Sequence, residues 1–525
     1  MTASGRRLAV AAALLAAALG GGCAREGAGE RVLELALKTA PNRLDPALAV
    51  DVAEGEICAL LFQGLVRYGP DGRLQPDLAR TWEIDAAGTR YTFHLDARAR
   101  FAGGRRVSAA DVVYSFARVL SPRSASPRPW VLDRIRGAGA FGRGEAPEVE
   151  GLRAADDSTL VLELDAPFKP FLGMLALPAA MVVPRDAIGD DPAATFDGLP
   201  VGSGPWRLEA WERADYLLLA PNPYHHRAAR GLDGIRLRII PEAFTRVAEF
   251  ESGALDVLEI PNAEMRRFLD DPRRADMIQS RAELRVYYIG LNNREPRLAD
   301  RRVRRALNMA VDVDALIAVL AGGEAVRAAG AVPPGLPGYE ARAPYPYDPE
   351  RARRLLAEAG YPEGFAVEIW QRESPEGNRV LEAVQGYLRA VGVDARLVRR
   401  EWSAFKEAVS AGRVDAFYLD WFADYPDAEN FLYPLFHSRN AGGGGNRSFF
   451  ADATVDSLID AASGTLDDDA CHALYARIDA RVHEEAPWIF LYFPKTFQLV
   501  SPRVQGYRLP TLYLGADYAG VTKTR

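Results

Sequence analysis

Two histidine-containing segments are the first places where the side chains of this chain could hold a metal ion. His225 and His226 are adjacent, but the 525 residues contain only 6 histidines, and no further ligand stands at a suitable spacing around this pair. We therefore interpret the pair as part of a surface turn. The segment 483–485, His-Glu-Glu, lacks the second histidine of a zinc-protease helix, and Pro487 would stop such a helix. The sequence predicts no metal site.

Other catalytic signatures are also missing from the sequence. The glycine run at 442–445 is followed by Asn-Arg-Ser and not by the Gly-Lys-Ser/Thr of a phosphate-binding loop, which favours a flexible loop. There is no Gly-x-Ser-x-Gly elbow and no paired Cys/His nucleophile site. A catalytic triad is defined by geometry and not by sequence order, so a lipid-anchored hydrolase stays open as an alternative. The main prediction is a protein that is not an enzyme, with no catalytic residue and no cofactor.

The composition is that of an ordinary soluble globular protein. Hydrophobic residues make up 48% and charged residues 26%, close to average values, and the net charge is -7. The four arginines of segment 301–305 stand beside apolar residues, and we interpret them as the solvated face of a helix. No nucleic-acid partner is therefore expected. The length is sufficient for two or three domains with sizeable cores.

The N-terminal segment predicts export from the cytoplasm. Two arginines precede an apolar run over residues 8–19, and a glycine stretch leads from there to Cys23. The run is shorter than the roughly 20 residues that span a bilayer. Cys23 stands where bacterial lipoproteins carry lipid, although Gly20 replaces the leucine that is usual three residues before it. We predict a signal peptide over 1–22, lipidation of Cys23 and a lipid-anchored tether over 23–30. Cleavage with simple secretion and a retained anchor are the alternatives.

Two further cysteines, Cys58 and Cys471, remain in the predicted mature chain. They lie far apart in the sequence, and in an exported protein a disulfide between them is possible. Cys58 falls inside an apolar stretch, which favours a buried free thiol instead.

The pattern of predicted elements in the second half indicates an α/β lobe. A helix from about Arg379 to Val391 separates two apolar, alternating stretches that are typical of strands. Strands alternate with helices over residues 345–420, which favours a largely parallel sheet. The first half is more mixed. There the residues at 91–96 alternate as a half-buried strand, and Ser108 is expected to cap a helix that ends before Pro122.

Short aromatic, acidic and glycine-containing stretches follow one another in order through almost the whole mature chain. They include the segments 42–46 (Asn-Arg-Leu-Asp-Pro), 61–66 (Leu-Phe-Gln-Gly-Leu-Val), 76–79 (Pro-Asp-Leu-Ala), 109–116 (Ala-Ala-Asp-Val-Val-Tyr-Ser-Phe), 202–206 (Gly-Ser-Gly-Pro-Trp), 303–308 (Val-Arg-Arg-Ala-Leu-Asn), 355–362 (Leu-Leu-Ala-Glu-Ala-Gly-Tyr-Pro) and 421–427 (Trp-Phe-Ala-Asp-Tyr-Pro-Asp). Each is weak alone, but together they strongly resemble the family-5 solute-binding proteins, the oligopeptide- and dipeptide-binding group of ABC transporters.

This resemblance implies an α/β, two-lobed periplasmic-binding-protein fold of type II, with a hinge between the lobes and an extra subdomain on the first lobe. The implied division is as follows: residues 31–52, 186–287 and 486–525 form lobe one, 53–185 the extra subdomain, and 288–485 lobe two. The chain would cross between the lobes near 288–293 and near 485–490. Ligand would lie between the lobes, which close on it by hinge motion.

The resemblance also implies a ligand site. In peptide-binding members, the aspartate of a Trp-x-x-Asp stretch forms a salt bridge with the α-amino group of the peptide, and Asp424 matches that position relative to Trp421. A general peptide binder is expected to hold this ammonium with a fixed counter-charge, because an unpaired buried charge is costly. Trp421, Phe422 and Tyr425 are expected to pack on the ligand, although core packing is the alternative for them. For Asp424 the alternative is a helix or turn cap.

The protein is therefore predicted to function outside the cytoplasm. The protein is expected to be an exported, membrane-anchored lipoprotein of the periplasm or cell surface and a monomer. It would capture peptides and deliver them to the permease subunits of an ABC importer. A family member that binds a non-peptide solute, namely a sugar, glutathione, a metal chelate or haem, is the first alternative. A sensory or chaperone protein that uses the same ligand trap is another. The sequence alone does not identify the residue that binds the ligand carboxylate.

Overall fold

A computed structural model describes residues 31–196, 198–227, 231–320 and 324–524. The predicted signal peptide, Cys23 and the tether lie outside the described residues. The strands are β1 (Val32–Leu37), β2 (Val66–Tyr68), β3 (Leu74–Pro76), β4 (Ala79–Ile84), β5 (Arg90–Leu95), β6 (Leu152–Asp156), β7 (Thr159–Glu163), β8 (Trp206–Glu212), β9 (Tyr216–Pro221), β10 (Gly234–Ile239), β11 (Val257–Glu259), β12 (Ile278–Ala282), β13 (Arg285–Leu291), β14 (Ala325–Arg327), β15 (Phe365–Arg372), β16 (Val393–Arg400), β17 (Ala416–Phe422), β18 (Trp488–Val500), β19 (Val504–Gln505) and β20 (Thr522–Lys523).

The α-helices accompany these strands in both halves of the chain. They are α1 (Val52–Leu61), α2 (Ala109–Leu120), α3 (Ala138–Gly142), α4 (Phe171–Met174), α5 (Arg185–Ile188), α6 (Ala243–Glu251), α7 (Met265–Leu269), α8 (Pro296–Ala299), α9 (Arg301–Ala310), α10 (Val313–Leu320), α11 (Pro349–Glu358), α12 (Pro375–Ala390), α13 (Trp402–Ser410), α14 (Glu429–Phe436), α15 (Ala453–Gly464) and α16 (Asp468–Glu485). The arrangement is α/β, as predicted.

One four-stranded sheet has the order β1-β10-β9-β8. β1 pairs with β10 in parallel, and the other two pairings are antiparallel. Along β1 the side chains of Leu33, Leu35 and Leu37 alternate into the core, where they pack with the buried Trp206. A strand with one buried face holds its register firmly, because a slip of one residue would expose every one of these leucines.

The largest sheet contains β11-β18-β13-β17-β15-β16, with β12 and β14 also paired to β18. β15 runs parallel to both β16 and β17, which confirms the parallel sheet predicted for the second half. α12 begins at Pro375, earlier than the predicted start near Arg379, because the Ser374 hydroxyl accepts the backbone N–H of Gly377 and caps the helix.

β18 changes its strand partners along its length. Its residues 488–494 pair with β13 and β14, whereas residues 495–500 pair with β11 and β12. The partners therefore change between residues 494 and 495, and residues 283–284 separate β12 from β13. The domain boundaries themselves remain a prediction.

A separate four-stranded antiparallel sheet has the order β4-β5-β7-β6 and belongs to the segment predicted as the extra subdomain. α2 packs against it and buries Val112, Phe116 and Val119. The predicted cap is present: the backbone N–H of Ser108 donates to the Asp111 carboxylate at 2.9 Å.

Two expectations about side chains, one on the arginine cluster and one on the cysteines, have clear outcomes. Arg304 is buried and not solvated; its guanidinium donates to the carbonyls of Leu298, Ala299 and Glu485, so only part of the arginine cluster faces solvent. Cys58 and Cys471 are both buried and free, as expected. Within the described ranges, none of the helices has the length and apolar character needed to cross a membrane.

Candidate functional site

Asp424 lies in a cavity of about 490 Å³ between the β17–α14 region and residues of the predicted extra subdomain. We call this the Asp424 cavity. Trp421, Asp424 and Tyr425 line it on one side, and Arg128 and Trp130 line it on the other. The structure thus brings three of the four predicted ligand residues to one cavity between two parts of the fold.

The position of Asp424 follows from the end of a buried strand. β17 ends at Phe422, and the backbone N–H of Asp424 donates to Asn430 Oδ1 at 2.9 Å. The side chain of Asn430 thereby fixes the turn, while the carboxylate of Asp424 stays 29% exposed. A carboxylate held by its backbone and open on its charged side is suited to receive a cation.

The present partner of that carboxylate is Arg128. Its Nη1 donates to Asp424 Oδ1 at 3.1 Å, across 296 positions of sequence. The same guanidinium also donates to the carbonyls of Ala49 at 3.2 Å and Val50 at 3.0 Å. Arg128 was not among the predicted site residues. No motif marks it, because it is one arginine among many in a loop before a short 3₁₀ turn.

The two predicted aromatic ligand residues that line this cavity have hydrogen-bond partners inside the protein. Trp421 is partly buried, and its Nε1 donates to the carbonyl of Asn430 at 2.9 Å. Tyr425 is buried and bonds through its hydroxyl to the carboxylate of Glu429. Both rings border the cavity, but their polar atoms are already satisfied. Their contribution to a ligand would therefore be packing and shape.

Phe422 faces a second cavity, of about 460 Å³, which also contains Glu56, Arg281 and Tyr513. We call this the Glu56 cavity. The rings of Phe422 and Tyr513 lie 6.0 Å apart between centroids, and the Arg285 guanidinium lies 5.1 Å from the centre of the Phe422 ring. Because Phe422 and Asp424 are close in the chain, the two cavities border the same turn.

Burial changes the acidity of the carboxyl groups beside the Asp424 cavity. The pKa of Glu429 is raised to about 7, mainly by desolvation and against the stabilising hydrogen bond from Tyr425. Desolvation also raises the pKa of Asp427, whose Oδ1 accepts the backbone N–H of Glu429. Asp427 and Asn430 thus act locally in the turn.

The segments first considered for metal or catalysis have structural roles. His225 lies in a turn, as predicted, but it is buried, and desolvation lowers its pKa to about 3. The ring of His483 packs at a tilt against Tyr345, with centroids 4.5 Å apart, and burial lowers the pKa of His483 to about 4. The run at 442–445 is a loop. In the part of the chain that the structure describes, no group of three or more His, Cys, Asp or Glu side chains is arranged to hold a metal ion.

Comparison with known families agrees with this architecture. The family model described as "Bacterial extracellular solute-binding proteins, family 5 Middle" matches residues 73–443, well over half of the chain. The protein belongs to this family. Members of family 5 are solute-binding proteins and not enzymes, and their setting is extracytoplasmic.

Individual relatives in family 5 match along most of their length. Haem-binding protein A of Haemophilus influenzae is 30% identical over 89% of this chain and 88% of its own. The dipeptide-binding protein of Escherichia coli is 29% identical over 82% of this chain and 83% of its own. The solved structure of the Escherichia coli murein tripeptide binding protein superposes with a TM-score of 0.78 at 26% identity, covering 95% of this chain and 99% of the other. The chain therefore has the two-lobed periplasmic-binding-protein fold of family 5.

Proposed function

We propose that this protein captures short peptides between its two lobes and delivers them to the permease of an ABC importer. The observation that carries the proposal is the position of Asp424, whose partly exposed carboxylate lies in a cavity between two parts of the fold. Relatives named for dipeptide and murein tripeptide binding support a peptide as the ligand.

The proposed contact is an exchange of cations on Asp424. In the structure, the carboxylate of Asp424 pairs with Arg128. When a peptide enters, its α-ammonium takes the place of the guanidinium at Asp424. Arg128 keeps its two carbonyl acceptors, Ala49 and Val50, throughout. A carboxylate without a partner in an enclosed site is costly, and this exchange keeps a cation at Asp424 both before and after binding.

The aromatic neighbours would complete the site without being displaced. Trp421 and Tyr425 present ring surface to the cavity, while their polar atoms stay bonded to Asn430 and Glu429. Rigid rings of this kind tolerate many side chains, because apolar packing requires no directional partner. Phe422 would contact the part of the peptide that extends into the Glu56 cavity.

We further propose the cellular arrangement that the N-terminus suggests. Residues 1–22 would be removed as a signal peptide, and lipid on Cys23 would anchor the protein through the tether 23–30. The anchored protein would work as a monomer beside its permease. Mass spectrometry of the mature protein from membranes would test this, since an unmodified N-terminus would contradict the anchor.

One alternative within family 5 has a specific observation in its favour. Haem-binding protein A reaches 30% identity over most of both chains, slightly above the dipeptide-binding protein. A non-peptide solute is therefore the second candidate. Haem added to the ligand-free protein would give a Soret band shift if this candidate were correct.

Calorimetry on the soluble chain from Ala24 tests the main proposal, after bound ligand has been removed by unfolding and refolding. A pool of peptides of two to six residues is titrated first, followed by the same pool N-acetylated. We expect binding of the free pool and loss of binding on acetylation. No heat from either pool with a folded protein would reject peptides as ligands. Equal binding of both pools would keep the peptide and remove Asp424 as its ammonium receptor.

A further inference from the structure

Glu56 is an unusual carboxylate in the Glu56 cavity. It projects from the face of α1 that lines this space, together with Val52 and Leu60. In the described part of the chain it makes no hydrogen bond and no ion pair. Lys38, Arg281 and Glu259 act on it only through longer-range electrostatics. An acidic side chain that lines a cavity and has no partner within the protein is suited to bind a cationic group of a ligand.

Arg281 is the corresponding cation in the same cavity. Its Nε is buried without a hydrogen-bond partner, and its Nη1 makes one long hydrogen bond, 3.4 Å, to the carbonyl of Ala282. No carboxylate among the described residues forms an ion pair with it. The guanidinium therefore retains donors for a ligand, and a carboxylate is the acceptor that matches its planar geometry.

The other charged groups here already have close partners. Lys38 Nζ lies 2.6 Å from Glu259, and Arg285 Nε lies 3.2 Å from Glu283. Arg246 also lines the cavity, and its Nη1 donates to two backbone carbonyls, each at 2.7 Å. Among the described residues, Glu56 is thus the carboxylate without a partner, and Arg281 is the guanidinium without a close acceptor. A ligand group that carries both a cation and a carboxylate would neutralise both at once.

Tyrosine rings complete the surroundings of Glu56. Tyr507 and Tyr518 line the cavity with ring centroids 6.2 Å apart. Burial raises the pKa of both phenols, and the negative charge of Glu56 adds to this effect. Tyrosine faces attract cations as well as alkyl chains. Phe422 lines this cavity and Asp424 lines the other, so the Glu56 cavity lies beside the proposed ammonium site.

We propose that the Glu56 cavity binds the C-terminal residue of a short peptide whose side chain is cationic, with Glu56 receiving the side-chain ammonium and Arg281 the terminal carboxylate. This inference rests on the proposed peptide function and names the class of peptide: those that end in lysine or a similar diamino acid. It also assigns the carboxylate contact that the sequence alone did not reveal. Ligand charges then replace the partners that the protein itself does not supply.

Protonation of Glu56 provides an independent readout. Desolvation raises its pKa to about 7, with Glu259 adding to the effect and Lys38 and Arg281 opposing it. An arriving ammonium favours the carboxylate form and lowers that pKa. At pH 7, binding of a lysine peptide should therefore release about half a proton per complex. A peptide that ends in norleucine should release none at this group.

The test compares Ala-Lys, Ala-Ala-Lys and Ala-Ala-Ala-Lys with the same peptides ending in norleucine, by calorimetry in two buffers of different ionisation enthalpy. We expect the lysine peptides to bind about 30-fold more tightly and to release protons. Glu56→Gln should abolish both differences. Glu324→Gln is the matched control, because that carboxylate is already paired with Lys495 at 3.2 Å.

A second comparison addresses Arg281. C-terminal amides of the lysine peptides should bind more weakly than the free acids, and Arg281→Met should remove that difference. Norleucine and lysine peptides that bind equally would overturn the assignment of Glu56, and amides that bind as well as acids would overturn that of Arg281. Absence of binding by every peptide would instead reject the proposed function itself, so the two failures are distinguishable.

Discussion

The Asp424→Asn substitution tests the proposed ammonium contact most directly. It removes the negative charge but keeps the shape of the side chain and the backbone bond to Asn430. Truncating one partner of an enclosed charge pair costs about 2–5 kcal/mol of binding free energy. Because the carboxylate of Asp424 is 29% exposed, solvent screens it and the lower part of this range applies. We expect a loss of about 2–3 kcal/mol, which is about 30- to 150-fold in Kd.

A thermodynamic cycle separates this contact from indirect effects. Wild type and Asp424→Asn are each titrated with one peptide in its free and N-acetylated forms, by calorimetry at pH 7. If the ammonium contacts Asp424, the two changes are strongly non-additive, and acetylation costs little in the variant. Additive losses would refute the contact. Asp394→Asn, an exposed carboxylate on β16 (58%), should bind like wild type, and thermal unfolding checks that each variant is folded.

Three further predictions concern the same molecule. Arg128→Gln frees Asp424 from its competing cation, so peptides should bind about 1.5- to 5-fold more tightly by calorimetry, the range of a partly exposed ion pair. Glu429 has its pKa raised from 4.5 to about 7, so its folded form holds a proton that its unfolded form loses in this interval. Glu429 therefore destabilises the folded protein increasingly as pH rises from about 4.5 to 7. Glu429→Gln should raise the free energy of unfolding, measured by chemical denaturation, by about 1–3 kcal/mol at pH 8 but not at pH 4.5. Burial raises the pKa of the Cys58 and Cys471 thiols, so neither should react with a thiol reagent in the native chain from Ala24, and both should react after unfolding.

Each of these expectations has a result that would contradict it. Weaker peptide binding by Arg128→Gln would mean that the guanidinium belongs to the ligand contact and not to its competitor. A stability difference for Glu429→Gln that does not depend on pH would show that Glu429 keeps its ordinary pKa; Glu407→Gln, at an exposed carboxylate (73%), is the control. A thiol that reacts rapidly in the native state would contradict the burial of that cysteine.

Much of the secondary structure follows from local patterns. The capping pair of Ser108 and Asp111 predicts the start of α2, and the alternation of strands and helices predicts the parallel pairing of β15 with its neighbours. The residues that form each pattern lie within a few positions of one another, so the elements can be predicted from the sequence alone. The sequence pattern predicts too late a start for α12, because the first turn of the helix, at 375–378, carries no apolar residue that marks a periodic face.

The site around Asp424 shows which residues a family resemblance can predict. The order of motifs points to Asp424 and Trp421, and the structure places both at one cavity. The same reasoning does not distinguish an arginine that faces solvent from one that is buried. Arg304 reads as part of a solvated cluster, yet three backbone carbonyls enclose its guanidinium. The partners of a buried arginine depend on which backbone segments fold against it, and some of these segments are distant in sequence.

By itself, the sequence determined the family, the α/β class and the position of the acidic residue proposed to hold a ligand ammonium. Tertiary structure alone decided which charges are paired. Arg128 reaches Asp424 across 296 positions, whereas Glu56 and Arg281 share a cavity and have no ion-pair partner among the described residues. The reason is physical: the energy of a charge depends on the solvent it loses and on the groups within a few ångströms, and folding sets both.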